Sequence, residues 1–168
     1  MLRIAIDPGK TGGIAVLLGN RRKDTMTYEM PETPEGIFDL LAEHNDSSEI
    51  ECIIEKVGYH VQGNNATHSV TFARHVGNLE MACVALELPV VWVLPKKWME
   101  SVEGYPEGLK RDPSHNDREH RNALNRHKTV RKNAIKKWVT GIYPHIKMQL
   151  WNADALGILE WRLRGGEV

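Results

Sequence analysis

Only two cysteines occur in this chain, Cys52 and Cys83, and both sit in apolar surroundings, "ECII" and "MACVAL". Neither belongs to a metal-type cysteine spacing, so a thiolate metal site is excluded and two buried thiols in a reducing, cytosol-like compartment are expected. No apolar run is long enough to span a bilayer, and the chain enters an alternating apolar pattern at Leu2 without a leader-like segment, so neither a membrane partner nor a secretion signal is expected. Net charge is missing as well: 22 Lys and Arg balance 22 Asp and Glu. What is present, 168 residues with 41% hydrophobic and 26% charged side chains, is enough for one globular domain, residues 1–168, with its own core.

The balance of charge hides a segregation. Residues 1–94 carry 7 basic against 13 acidic residues, a balance of −6, whereas residues 95–150 carry 13 against 6, a balance of +7. Charge divided in this way suits a basic face that meets a phosphate backbone, or equally a solvated, mixed-charge helical surface.

A phosphate-binding glycine is also lacking. "RIAIDPGKTGGIAV" (3–16) contains Gly9-Lys10-Thr11, the ending of a nucleotide-binding P-loop. Such a loop needs a glycine five positions before Gly9, and that position is Ile4, inside an alternating strand pattern of Leu2, Ile4 and Ile6. No cradle of backbone N–H groups forms there, and no nucleotide cofactor is expected. What remains is a strand that ends in Asp7, a tight Pro-Gly turn, and a second apolar run: a β-hairpin that delivers a carboxylate at the end of its first strand.

Further along, 25–30 reads as a strand and 33–44 as a helix capped by Thr33. The run 49–55 reads as a fourth strand ending in Glu55. After the loop "KVGYHVQGNNATH" a helix is expected over about 68–87, with Val70, Ala73, Gly77, Met81, Val84 and Ala85 along one side. Residues 88–95 read as a fifth strand, about 100–126 as an irregular insertion, 127–144 as a basic helix ending near Gly141, and 152–163 as a last helix with Asn152 as its cap. This order predicts an α/β fold: a five-stranded mixed sheet with helices on both faces.

Three acids then fall at the ends of elements: Asp7, Glu55 and Asp154. If strands one and four are parallel neighbours, Asp7 and Glu55 stand side by side. Such anions repel unless a cation neutralises them, and oxygen-only donors favour Mg²⁺ or Mn²⁺. Two such ions activate a water and stabilise the leaving oxygen in phosphodiester cleavage. Singly, each acid also has a purely structural explanation: Asp7 as a turn cap, Glu55 as a strand end beside Lys56, Asp154 as a favourable charge near a helix N-terminus.

In order along the chain, "IAIDPGKTGGIAV", "IIEKVGY", "LPVVWVLPKKW", "HKTVRKNA" and "NADALGILE" resemble the motifs of RuvC-type Holliday-junction resolvases, including phage versions. The resemblance covers most of the chain outside about 20–48 and 100–126. It implies an RNase H-like fold, a homodimer, and Mg²⁺-dependent paired nicking of four-way DNA junctions and other branched DNA, with two ions in each site and Mn²⁺ able to substitute. It also implies that Asp7, Glu55 and Asp154 are metal ligands and that Lys128 works near the scissile phosphate, with Arg131 and Lys132 on the same basic helix as DNA contacts. Lys10, Lys96 and Lys97 are further candidate DNA contacts. Within the loop after Glu55, Tyr59 is a candidate for stacking on a base, and His60, Gln62, Asn64 and Asn65 for phosphates or base edges. The long helix, with Ala73, Gly77 and Ala82, is the implied dimer seam. Resolvases of this type have an Asp or His one helical turn before the last Asp; this chain has Trp151, leaving Asn152, His145 or water as substitutes.

That departure keeps a second function class in view, a module of the same fold that binds branched DNA without cutting it. An actin-like ATPase or kinase shares "DPGKTGG" but needs a second lobe, for which the chain is too short. His115, His120 and His127 fit no zinc-ligand spacing. The five tryptophans, Trp92, Trp98, Trp138, Trp151 and Trp161, read as core or subunit-contact residues.

Overall fold

The structure is a computed structural model and describes residues 1–45, 47, 49–58 and 66–167, with the side chains of 66–68 left aside. Its strands are β1 (Leu2–Asp7), β2 (Gly13–Leu18), β3 (Thr25–Glu29), β4 (Ile50–Glu55) and β5 (Val90–Val93). Its helices are α1 (Pro34–Glu43), α2 (Ala66–Ala85), α3 (Pro95–Met99), α4 (Asp117–Ile142) and α5 (Leu150–Leu163). The strands form one sheet in the order β3-β2-β1-β4-β5. β1 to β3 pair antiparallel as a meander, while β4 lies parallel to both β1 and β5. This is the mixed sheet that the order of apolar runs predicts.

The two faces of the sheet follow from the alternation of side chains along a strand. Ile4, Ile6, Ile14, Val16, Cys52 and Ile54 point to one face, where they are covered by Ile37 and Leu41 of α1 and Leu79 and Cys83 of α2. Ala5, Ala15, Leu17, Ile53 and Val93 point to the other, under Trp98, α4 and α5. Ala5 and Ala15 are directly paired across β1 and β2. Two small side chains at that point let α5 lie close against the sheet. With the sheet on one side and α3 and α4 on others, α5 is buried almost all round from Asn152 to Trp161, as an apolar helix inside a core must be.

Toward its far end that helix buries a charged residue. Glu160 is fully buried and accepts hydrogen bonds from Arg22 Nε and Nη2 at 2.7 and 2.9 Å, Arg164 Nε at 2.7 Å and the Tyr143 hydroxyl at 3.2 Å. Burial pushes its carboxyl up, but the two guanidiniums more than offset this and hold it below the usual glutamate value. Arg22 lies in the 3-10 turn Arg22–Asp24 between β2 and β3, so the pair ties that connection to α5.

Several boundaries differ from those read in the sequence. Thr33 does cap α1, its hydroxyl accepting from Gly36 N at 3.1 Å. α4 starts at Asp117, ten residues before the point where apolar periodicity begins; its first turns are exposed and polar, so they carry no core pattern. α5 starts at Leu150. Asn152 is therefore inside the helix, reaching back with Oδ1 to Gln149 N at 2.9 Å rather than standing at its cap. On α2 the side that carries Val70, Met81 and Val84 faces out, these three being 67%, 63% and 69% exposed, and the core contacts come from Val76, Leu79, Ala82 and Cys83. Ala82, at 5% exposure, is a core residue and not part of a seam. Among the described residues, no helix is long and apolar enough to cross a membrane.

Candidate active site

Parallel pairing puts Ile6 beside Ile54, so the next residue of each strand, Asp7 and Glu55, lies at the same end of the sheet. Both have odd numbers and share the parity of Ala5 and Ile53. They therefore face α5, the helix that carries Asp154.

The turn after Asp7 is shaped by glycine. Gly9 has φ +122°, a backbone conformation that side chains disfavour, and the Phe72 ring of α2 lies against it. A Cβ on Gly12 would stand 2.0 Å from the Asp7 carbonyl oxygen, and one on Gly13 2.4 Å from the Trp151 carbonyl oxygen. The turn thus folds back onto Asp7 and receives the first turn of α5. That contact is also what Trp151 does: half-buried, it packs against Gly13 beside the site.

The three carboxyls all lie above their usual range. Asp7 is raised well above it by burial first, then by Asp154 and Glu55, with Lys132 opposing. Glu55 is raised to about 7 by burial, countered by a hydrogen bond from Trp98 and reinforced by Asp154. Asp154 is raised to about 6 by burial, against the pull of Lys132 and Arg131. Three poorly solvated acids, two of them raised further by a neighbouring carboxylate, are an unfavourable arrangement without a counter-charge.

Their chemistry, oxygen donors alone, fits a hard divalent cation. Among the described residues, however, no group of three or more His, Cys, Asp or Glu is already arranged to hold a metal ion. Binding an ion would require these side chains to close around it. Of the substitutes for a fourth ligand, Asn152 is buried and committed to Gln149 N, and its Nδ2 points to Thr27 Oγ1 and Lys147 O. His145 is exposed and lies against the Tyr143 ring.

The basic side chains that act on the carboxylates are Lys132 and Arg131 of α4. Lys128 is exposed one turn earlier on the same helix. Arg131 is held in place: its guanidinium lies 5.0 Å over the Tyr105 ring, Nε donates to the Tyr105 hydroxyl, and Nη2 stands 3.3 Å from Met99 Sδ. Lys10 pairs with Glu32 at 3.3 Å on the surface, Lys96 stands 3.9 Å from Glu100, and Lys97 is exposed. Tyr59, His60, Gln62, Asn64 and Asn65 lie outside the described residues. A groove of about 460 Å³ opens beside Glu55, between Val76 and Glu80 of α2 and Trp92 and Leu94 at the end of β5.

Sequence reading missed Trp98 and Tyr105 as parts of this neighbourhood. A buried indole N–H must find an acceptor, which was a usable signal for Trp98, but no spacing in the chain says which acceptor. Tyr105 carries no such signal, because its partner is 26 residues away on another element.

No protein-family profile matches this chain, and no curated protein matches it in sequence. Among solved structures it is similar to RuvC of Thermus thermophilus. In complex with a Holliday-junction substrate, that protein is 15% identical at a TM-score of 0.58 over 98% of this chain and 94% of that one. Without the substrate it is 16% identical at 0.56, over 99% and 98%. The described sheet order, the helices on both faces and this near-complete overlap give the conclusion: the chain has the RuvC fold, an α/β architecture of the RNase H-like kind.

Proposed function

We propose that this chain is a metal-dependent endonuclease that resolves four-way DNA junctions, and acts on other branched DNA, by paired nicks. The observation that carries the reading is that Asp7 and Glu55 end neighbouring parallel strands facing the helix of Asp154, where burial raises all three carboxyls and Asp154 raises the other two further. Mg²⁺ or Mn²⁺ held by these carboxylates, two ions in each site, would neutralise them and activate the attacking water. Lys132 and Arg131, with Lys128 a turn away, contribute positive charge where a scissile phosphate would gather negative charge. Tyr105 keeps Arg131 from swinging into solvent. Lys10, Lys96 and Lys97 serve in this reading as contacts to the phosphate backbone, and Tyr59, His60, Gln62, Asn64 and Asn65 as contacts to the junction. The solved RuvC complex, a protein of the same fold bound to a Holliday-junction substrate, supports this choice of DNA over other phosphodiesters.

The chain works in this reading as one nuclease unit that pairs with a second copy, since a four-way junction presents two equivalent phosphates and a two-fold dimer two equivalent sites. The outward stripe of α2, Val70, Met81 and Val84 with open space at Gly77, supplies an apolar face for that pairing. Sedimentation of the wild type is expected to give a dimer, and Met81→Asp with Val84→Asp a folded monomer. A monomeric wild type would remove the dimer from the proposal.

A second reading, a branched-DNA binding module, is favoured by two features: Trp151 stands where resolvases of this type have a ligand, and the three acids are not drawn together. Cutting of a labelled four-way junction and of the matching linear duplex, in Mg²⁺, Mn²⁺ or EDTA, separates the two. Metal-dependent, symmetric nicks confined to the junction are expected. Tight junction binding with no cutting in either metal would make it a binding module.

A further inference from the structure

Trp98 is wholly buried near the end of the five-residue α3. Its one polar atom, Nε1, donates a hydrogen bond of 2.8 Å to Glu55 Oε1, across 43 residues of sequence. The other edge of the same indole lies against Gly157, where a Cβ would stand 2.7 Å from Cζ3. Gly157 is three residues after Asp154 on α5, so it lies under the same side of the helix, about one turn on. One rigid ring therefore touches two of the three elements that carry the carboxylates, β4 by a hydrogen bond and α5 by packing that only a glycine admits.

From this geometry we infer that Trp98 is a positioning residue for the candidate site: its N–H fixes one oxygen of Glu55, and so sets how that carboxylate meets a divalent cation shared with Asp7 and Asp154. This rests on the nuclease reading above and deepens it. A glutamate side chain has three rotatable bonds, and holding it in one arrangement beforehand spares that ordering when the cation arrives. Partners that hydrogen-bond to metal-binding carboxylates are worth about 10- to 100-fold in metal affinity or activity when removed. The alternative is that Glu55 merely satisfies a buried indole, in which case the bond serves the core and nothing else.

Trp98→Phe tells these apart, because it keeps an aromatic ring against Gly157 and loses only the donor and part of the ring's bulk. Mn²⁺ binding is followed by electron paramagnetic resonance, apart from any catalysis, in wild type, Trp98→Phe, Glu55→Gln and the double variant. About tenfold weaker Mn²⁺ binding is expected for Trp98→Phe, with no further loss when it is added to Glu55→Gln. On a four-way junction kcat is expected to fall by a similar factor with KM little changed. Should Trp98→Phe not fold, replacing Trp98 alone by its benzothienyl analogue, which exchanges N–H for sulfur in the same two-ring shape, carries the same comparison.

Unchanged Mn²⁺ affinity in a folded variant overturns the positioning role and leaves the nuclease reading standing. So does an equal loss with and without Glu55. A wild type that binds Mn²⁺ and cuts nothing removes the nuclease reading, while the affinity comparison still decides the role of Trp98. A wild type that neither binds Mn²⁺ nor cuts overturns both.

Discussion

Asp7→Asn is expected to abolish junction cutting, by about 1,000-fold or more, as loss of a group that holds charge at the reacting centre does, and at the same time to make the metal-free protein more stable. The first effect follows from the proposed role of Asp7. The second follows from the electrostatics. In the folded protein Asp7 is held well above its usual range by burial and by Asp154 and Glu55, so ionising it works against the fold. An amide of nearly the same shape has no charge to bury.

The pH dependence has a definite sign. A carboxyl raised in the folded state contributes stability that is fully present below its ordinary value and lost as the pH climbs through the folded value. For Glu55 that window runs from 4.5 to about 7, and for Asp154 from 3.8 to about 6. The Glu55 shift alone corresponds to roughly 3 kcal/mol. Metal-free wild type is therefore expected to unfold more readily at pH 8 than at pH 5, and added Mg²⁺ or Mn²⁺ to reverse this at the higher pH by binding only the folded state. At pH 8 Asp7→Asn is expected to melt about 5 °C above metal-free wild type and to respond much less to the metal. A variant that melts at or below the wild-type temperature at pH 8 would falsify the account of three crowded anions. Equal cutting by variant and wild type would remove Asp7 from the chemistry.

The largest expected loss of stability lies elsewhere, at the far end of α5. Removing both guanidiniums, Arg22→Met with Arg164→Met, leaves Glu160 fully buried with only the Tyr143 hydroxyl to bond it. Stranding a buried charge in this way costs about 3–5 kcal/mol, or roughly 10 °C in melting temperature for a chain of this size. Each single change should cost much less than half of that. The side chains of Arg22 and Arg164 are 44% and 50% exposed, and the guanidinium that remains still reaches the carboxylate. Glu160→Gln, added to the double variant, is expected to recover much of the loss, because the amide needs no counter-charge. Chemical denaturation of the wild type, both single variants, the double variant and the triple variant measures this directly. If Glu160→Gln recovers nothing, the cost came from lost packing of Arg164 over Trp138 and not from the stranded carboxylate.

What could be read in the sequence, and what could not, divides by the range of the interaction. Strand alternation is a period of two written in consecutive residues, and it sufficed for five strands and for a hairpin that ends in Asp7. The same parity put Asp7 and Glu55 on one face once β1 and β4 were parallel neighbours. Thr33 before Pro34 is a local cap and was legible as one. The early start of α4 is marked only by the capping box Asn116-x-x-Glu119, because its first turns are polar and carry no apolar periodicity. The outward side of α2 was not legible, since small and apolar residues occur on both of its sides and only the position of the sheet chooses between them.

By itself, then, the amino-acid sequence determined the five strands, the carboxylates Asp7 and Glu55 that end two of them, and the cap of α1, because each of these rests on the stereochemistry of a few neighbouring residues. The tertiary structure alone decided that Lys132 and Arg131 act on the acids, that Trp98 holds Glu55, that Trp151 packs against Gly13, and that Arg22 neutralises Glu160 over a separation of 138 residues. Those contacts depend on how whole elements cross in space. A side chain's chemistry says only that a buried N–H or a buried charge must find a partner; the packing of the sheet against α5 says which one.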